Sequence, residues 1–229
     1  MIIELIGLPA SGKTTLAKEM YKRLGKNNSV IFPLNSLNEK SWLVRNIYKS
    51  ISVTLYCITH LRTFFTVISK IHKSRLISFF DNFRLAFNIL FVLSLRDKYR
   101  KHNKIIIFDE GILHYIWAVS VNSGRKDVYQ LFNNVIDEVD LTIRVECPKE
   151  LNKKRLNSRL NNNQRHSDLM DDFDEVYEVM QNIVNYFIRE GHLYKYLSVE
   201  NIEHTDIIKN SELIIEKFFN DPTAHKGII

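Results

Sequence analysis

The stretch IIELIGLPASGKTTLAK, residues 2–18, decides the fold. A short apolar run leads straight into Gly7-Leu8-Pro9-Ala10-Ser11-Gly12-Lys13-Thr14, which matches G-x-x-x-x-G-K-[ST], and a helical pattern follows. Strand, loop and helix N-terminus therefore come in the order that phosphate binding requires. Gly7 and Gly12 let the backbone curl so that successive N–H groups point inward, and the dipole of the following helix favours negative charge at the same place. Lys13 is placed to reach the β- and γ-phosphates, and the Thr14 hydroxyl to ligate magnesium. Ala10, Ser11 and Thr15 complete the expected phosphate cradle. The stretch predicts a nucleoside triphosphate, taken as ATP, bound with Mg2+, although no adenine signature separates ATP from GTP.

Downstream of this loop the pattern alternates between strands and helices. Val30–Leu34 reads as a second short strand, and Ser36-x-x-Glu39 has the form of a capping box that opens a helix. From there to about Lys101 the chain is helical, without Gly or Pro, with Lys73–Ser74 the expected break. Ile105–Phe108 is a clean third strand ending in Asp109-Glu110-Gly111. A helix over Ile112–Val121 and another reaching about Ile136 precede a fourth strand, Leu141–Glu146. Pro148 suits the first position of the next helix, and 159–167 reads as a polar loop. A strongly periodic helix from Leu169 to Gly191, a strand Leu193–Val199 and a helix from Asp206 to Phe219 close the chain. Five apolar strands separated by helices predict an α/β fold. Its five-stranded parallel sheet is covered by helices on both faces, with a helical insert between strands 2 and 3. The chain reads as one domain, 1–229, with an acceptor-binding insert at 36–103 and a lid at 155–168.

Bulk properties narrow the setting. The 229 residues are 45% hydrophobic and 25% charged, an ordinary composition for a folded domain. Cys57 and Cys147 lie far apart and show no metal spacing, so two reduced thiols are expected. The chain begins in its first strand, and its longest apolar candidate, Leu76–Leu95, carries charged and amide residues, so a cytoplasmic protein is expected. The net charge of +6 is uneven. Residues 40–104 hold thirteen Lys and Arg against Asp81 and Asp97, a net +11 that leaves −5 elsewhere. An anionic acceptor, a nucleic acid or an anionic membrane surface would each suit that segment.

Two further groups carry chemistry. Asp109 follows four apolar strand residues, as a Walker-B carboxylate does, and is expected to hold the metal beside the loop. Its simpler role would be a helix N-cap. Glu110 is a candidate for orienting or deprotonating an attacking hydroxyl, although Asp109 could do both jobs. Arg155 and Arg159, four apart on one helix, and Arg165 beyond it, with Lys153 and Lys154, could supply positive charge over a moving phosphoryl group.

GLPASGKTT, IIIFDEG and ECPKELNKKRLNSRLNNNQR together resemble the P-loop kinases of the nucleoside- and nucleotide-kinase type. The resemblance implies transfer of the ATP γ-phosphate to an acceptor held under a helical region. Lys13 and Thr14 would then bind phosphate and magnesium, Asp109 or Glu110 would serve the acceptor side, and Arg155, Arg159 and Arg165 would belong to the lid. Departures point away from a standard nucleotide acceptor. Asp109-Glu110-Gly111 stands where thymidylate kinases carry Asp-Arg, Asn35 stands where small-molecule kinases carry Asp, and the insert is long. The expected acceptor is a small anionic or carbohydrate-like molecule. A nucleoside or nucleotide kinase, a polynucleotide-end kinase and a membrane-surface P-loop ATPase stay open as alternatives. No nucleic-acid-binding motif supports a polynucleotide substrate, and the sequence does not specify an oligomeric state.

Overall fold

The computed structural model describes residues 1–25, 30–75, 78–101, 104–125, 127–136, 139–160, 173–193 and 195–220. Five strands, β1 (Ile2–Ile6), β2 (Val30–Ile31), β3 (Ile105–Phe108), β4 (Leu141–Glu146) and β5 (Tyr196–Glu200), form one parallel sheet in the order β2-β3-β1-β4-β5. The expected architecture is thus the observed one. Period-two alternation divides its core. Ile3 and Leu5 of β1 and Ile107 of β3 face α1 (Lys13–Leu24) and α9 (His204–Ile215). Ile2, Ile6, Ile106 and Phe108 face the other layer, built by α5 (Phe79–Arg100), α6 (Ile112–Ser123) and α8 (Phe173–Arg189).

Between β2 and β3 the chain forms α2 (Pro33–Asn38), α3 (Trp42–Thr59), α4 (Leu61–Ser74) and then α5. The second strand is shorter than expected because Pro33 has no N–H for the ladder and instead starts α2. Ser36 consequently lies inside a helix, its hydroxyl bonded to the Pro33 carbonyl, and does not cap one. The N-cap is Ser41, whose Oγ accepts from the Val44 N–H. The chain breaks after Ser74 as expected, with Arg75 left-handed at φ 55°, and breaks again at His60, where α3 and α4 meet at 110°. Tyr48 of α3 packs edge-on against Phe91 and accepts a hydrogen bond from Lys98 Nζ, joining α3 to α5.

Three further expectations shift. Where a helix to Ile136 was expected, only a 3-10 segment, Val128–Phe132, forms. Asn133, a poor helix interior residue, instead donates its side-chain amide to the Tyr186 hydroxyl. The fifth strand starts three residues late, because Gly191 turns left-handed at φ 74° and Leu193 is buried in the α-helical layer before pairing begins. The last helix begins at His204, with Glu203 and Asp206 forming a reciprocal capping box. The expected helix start at Leu169 lies outside the described residues, and α7 (Lys149–Leu160) leads up to them.

Candidate active site

Parallel strands with helices on both faces leave their carboxyl ends as a crevice, and the candidate site lies there. The register pairs Glu4 with Phe108, so Asp109 leaves β3 beside the loop that begins at Gly7. The loop is tightly enclosed. A Cβ on Gly7 would lie 2.5 Å from the Val145 carbonyl oxygen, and one on Gly12 would lie 1.8 Å from Asn201 Nδ2. Gly12 has φ 98°, and Ala10 has φ 66°, a conformation uncommon for a residue with a side chain. Such strain persists only where the surroundings fix it, which is characteristic of ligand-binding turns.

Lys13 is buried, its ammonium donating to the carbonyls of Gly7 and Leu8 at 2.7 Å each. It therefore spans the loop from the first turn of α1. Thr14 Oγ1 donates to Asp109 Oδ2 at 2.7 Å, joining the loop to the end of β3. Asp109 is buried, and its other oxygen, Oδ1, has no hydrogen-bond partner among the described residues. Burial holds this carboxyl above its ordinary range, the Thr14 hydroxyl pulls it down, and neighbouring Glu110 pushes it up again. A hydroxyl and an orphaned carboxylate oxygen, both hard ligands, fit a magnesium ion. Ser11 and Thr15 complete the loop, Ser11 buried and Thr15 exposed.

Glu110 is exposed at the same edge. Tyr115 is half-buried near the two carboxylates, its hydroxyl pushed far up by burial and by the charges of Glu110 and Asp109. Lys49 of α3 reaches this edge too. Burial lowers its ammonium pKa, Arg45 lowers it further, and Glu110 acts in the opposite sense. The region around Asp109 and Glu110 thus carries both signs of charge.

Arg155 is occupied elsewhere. Its guanidinium donates to the carbonyls of Asn201 and Ile202 at 3.1 and 2.6 Å and to Cys147 Sγ at 3.3 Å. It ties α7 to the segment after β5. Asn201 in turn donates Nδ2 to the Ser11 carbonyl at 2.7 Å, so this arginine reaches the phosphate loop through one buried asparagine. Lys153 and Lys154 sit on the same helix without joining the loop's hydrogen bonds. The Arg159 side chain and Arg165, with lid positions 161–168, lie outside the described residues.

A buried charge pair underpins the turn. Glu4, in the middle of β1, is ion-paired with Arg96 of α5, and its Oε1 accepts from the Leu113 N–H at 2.7 Å. That bond secures the first turn of α6 directly after Asp109-Glu110-Gly111. Gly111 is packed onto it, since a Cβ there would lie 2.1 Å from Glu4 Cδ. Arg96 is therefore not part of a cationic surface, although its charge counts in the segment total. Sequence reasoning also passed over Glu4, Asn201, Lys49 and Tyr115. Glu4 does leave a signal, a lone charge inside the apolar run IIELI, whereas Arg96 opens the charged stretch RDKYRK and leaves none. Asn201, Lys49 and Tyr115 leave none.

No family model matches the chain, and no curated protein does. Solved structures do resemble it. Deoxyadenosine kinase from M. mycoides with bound dCTP covers 95% of this chain and 98% of its own, at 20% identity and a TM-score of 0.47. Thymidylate kinase from Ehrlichia chaffeensis covers 95% and 97%, at 16% identity and a TM-score of 0.49. The M. mycoides enzyme with dCMP and a flexible dCDP bound covers 95% and 97%, at 19% identity and a TM-score of 0.47.

Proposed function

We propose that the chain is an ATP- and Mg2+-dependent phosphotransferase that moves the γ-phosphate to a hydroxyl, or a phosphate, of a small anionic or carbohydrate-like acceptor. The observation that carries this reading is the Thr14–Asp109 hydrogen bond. It sets a loop hydroxyl and a buried carboxylate with one free oxygen side by side, next to the lysine of a phosphate loop. Thr14 and Asp109 would hold the magnesium ion, which neutralises phosphate charge when bound. Lys13 and the inward N–H groups of the loop bind and orient the phosphates. Glu110, exposed at the same edge, accepts the proton of the attacking hydroxyl. Lys49 and Arg45 stand on the acceptor side and favour an acceptor that carries negative charge. Arg155 acts at a distance, holding Asn201 against the loop.

The test is to follow γ-labelled ATP with magnesium and a cell extract separated into sugar and sugar-phosphate, nucleoside and nucleotide, lipid, and nucleic-acid fractions. Lys13→Ala serves as the control. Label in the sugar or sugar-phosphate fraction, lost with Lys13→Ala, is the expected result. Label in the nucleoside fraction would assign the acceptor to that class instead. Release of inorganic phosphate alone, with every fraction unlabelled, would overturn the transferase reading.

A further inference from the structure

Among the described residues, thirteen of the seventeen large apolar side chains left exposed fall between Trp42 and Phe83. They do not scatter. On α3, Leu43, Ile47, Ile51, Leu55 and Ile58 recur at three and four and share one outward stripe, widened by Val44, with Trp42 exposed at the helix start. Leu61, Phe65 and Ile68 extend the surface along α4, beyond the 110° bend. In the first turns of α5, Phe79, Phe80 and Phe83 are 80%, 82% and 67% exposed. Thirteen such side chains expose on the order of 1,000 Å² of apolar surface, above the few hundred that an ordinary monomer shows in one patch.

Charge selects the occupant. The outward stripe of α3 carries no charge of either sign, since its two cations, Arg45 and Lys49, are half-buried on the other side. Around the apolar surface, Arg62, Lys73 and Arg75 are exposed cations, while exposed Lys40 is offset by exposed Glu39 beside it. The acidic residues of the same segment are neutralised, Asp81 by Arg84 at 2.7 Å and Asp97 by Lys101 at 3.8 Å. A second copy would set this cationic rim against an identical one. An anionic surface would meet it favourably at every cation. Exposed Trp42, Phe65, Phe79, Phe80 and Phe83 are side chains of the kind that settle at head-group depth. No single helix among the described residues is long and apolar enough to cross a bilayer, and the α3–α4 pair is sharply bent. The geometry points to a peripheral membrane-docking face: α3, α4 and the start of α5 lie on an anionic bilayer, with the apolar stripe immersed and the cations among the head groups.

This inference does not depend on the phosphotransferase reading, and neither does its test. The full chain is floated with phosphatidylcholine vesicles, with and without phosphatidylglycerol, and its oligomeric state is measured by analytical ultracentrifugation without lipid. Flotation with the anionic vesicles is expected. Phe79→Ser/Phe80→Ser should abolish it, and Arg62→Glu/Lys73→Glu should weaken partitioning by about tenfold or more, at about 1 kcal/mol per cation near the surface. All four positions are exposed, and an unchanged thermal midpoint verifies folding. Equal flotation of wild type and both variants would overturn the inference. So would a stable dimer that ignores vesicles and dissociates on Ile51→Glu, which would give the face to a second copy.

Discussion

Arg96→Met would test whether the buried pair under the Asp109-Glu110-Gly111 turn holds that turn in place. Arg96 and Glu4 are both almost wholly buried, and Arg96 is the only cation paired with that carboxylate among the described residues. The guanidinium lies 6.0 Å from the Phe108 ring centroid, and its Nε and Nη1 have no hydrogen-bond partner among the described residues. Methionine fills much of the arginine stem's volume, so the change chiefly strands a buried carboxylate. Breaking such a pair from one side costs about 3–5 kcal/mol, a large share of the 5–15 kcal/mol that holds a typical domain folded. The pH dependence has a definite sign. Burial already holds the Glu4 carboxyl above its ordinary range, with Arg96 the chief opposing influence. Without Arg96 it rises further, so the folded state binds the proton more tightly than the unfolded state. Stability of the variant should therefore fall as pH rises above the ordinary carboxylate range, more steeply than in the wild type. Urea unfolding from acid to neutral pH measures both quantities. Glu4→Gln/Arg96→Met keeps an acceptor for the Leu113 N–H and removes the stranded charge; it should recover at least half the loss and flatten the added slope. A pH-independent loss, or a double variant no more stable than Arg96→Met, would refute the reasoning.

Other predictions concern the loop and its supports. Asp109→Asn should lower magnesium-dependent turnover about a hundredfold or more, roughly 2.7 kcal/mol, read from initial rates across a magnesium titration. Glu110→Gln should lower kcat with little change in the nucleotide KM; an unchanged kcat would give the acceptor proton to Asp109. Arg155→Met should cost about 2–4 kcal/mol in urea unfolding, because two carbonyls lose a charged donor, and should raise the nucleotide KM more than it lowers kcat. A collapse of kcat at undiminished stability would place Arg155 in the chemistry instead. Gly12→Ala should abolish nucleotide binding by fluorescence titration, and adding Asn201→Gly should restore only part of it, since the clash is relieved while φ stays at 98°.

The legible parts of this chain were those governed by local pattern. Short runs of four to six residues before Gly7, Asp109 and Cys147, each apolar at half or more of its positions, located three strands, because a parallel strand covered on both faces is rich in apolar residues. The phosphate loop was legible because its chemistry demands fixed residues at fixed spacing. Boundaries that depend on backbone donors were read less well. Pro33 ended β2 early, and the apparent capping box at Ser36 fell inside the helix that Pro33 starts. Least legible were the long-range partners. Nothing near Asn201 announces that its amide, 190 positions from Ser11, will close over the loop, and nothing near Arg155 announces the carbonyls it serves.

The basic insert shows why a summed charge is a poor guide to a binding surface. Its +11 reads as one patch in the sequence, yet the helices divide it by phase. Arg96 turns into the core and is spent on Glu4. Lys70 donates to the Leu131 carbonyl, and Lys98 to Tyr48, so both are engaged in packing the insert. Lys49 on α3 feels the charge of Glu110, and Arg45, four residues earlier, donates to Asn38 Oδ1. Arg62, Lys73 and Arg75 remain outside, around a stripe without charge, and Lys40 is offset by Glu39. One helix, α3, therefore separates two environments with opposite demands. Its inner side offers Lys49 to a reactive edge rich in carboxylates, and its outer side offers apolar surface and nothing for a soluble anion to pair with. An acceptor with a polar anionic head and an apolar anchor satisfies both sides at once. The lipid fraction in the labelling experiment and the vesicle flotation thus bear on the same question from opposite faces of α3, and label in that fraction would join the two proposals.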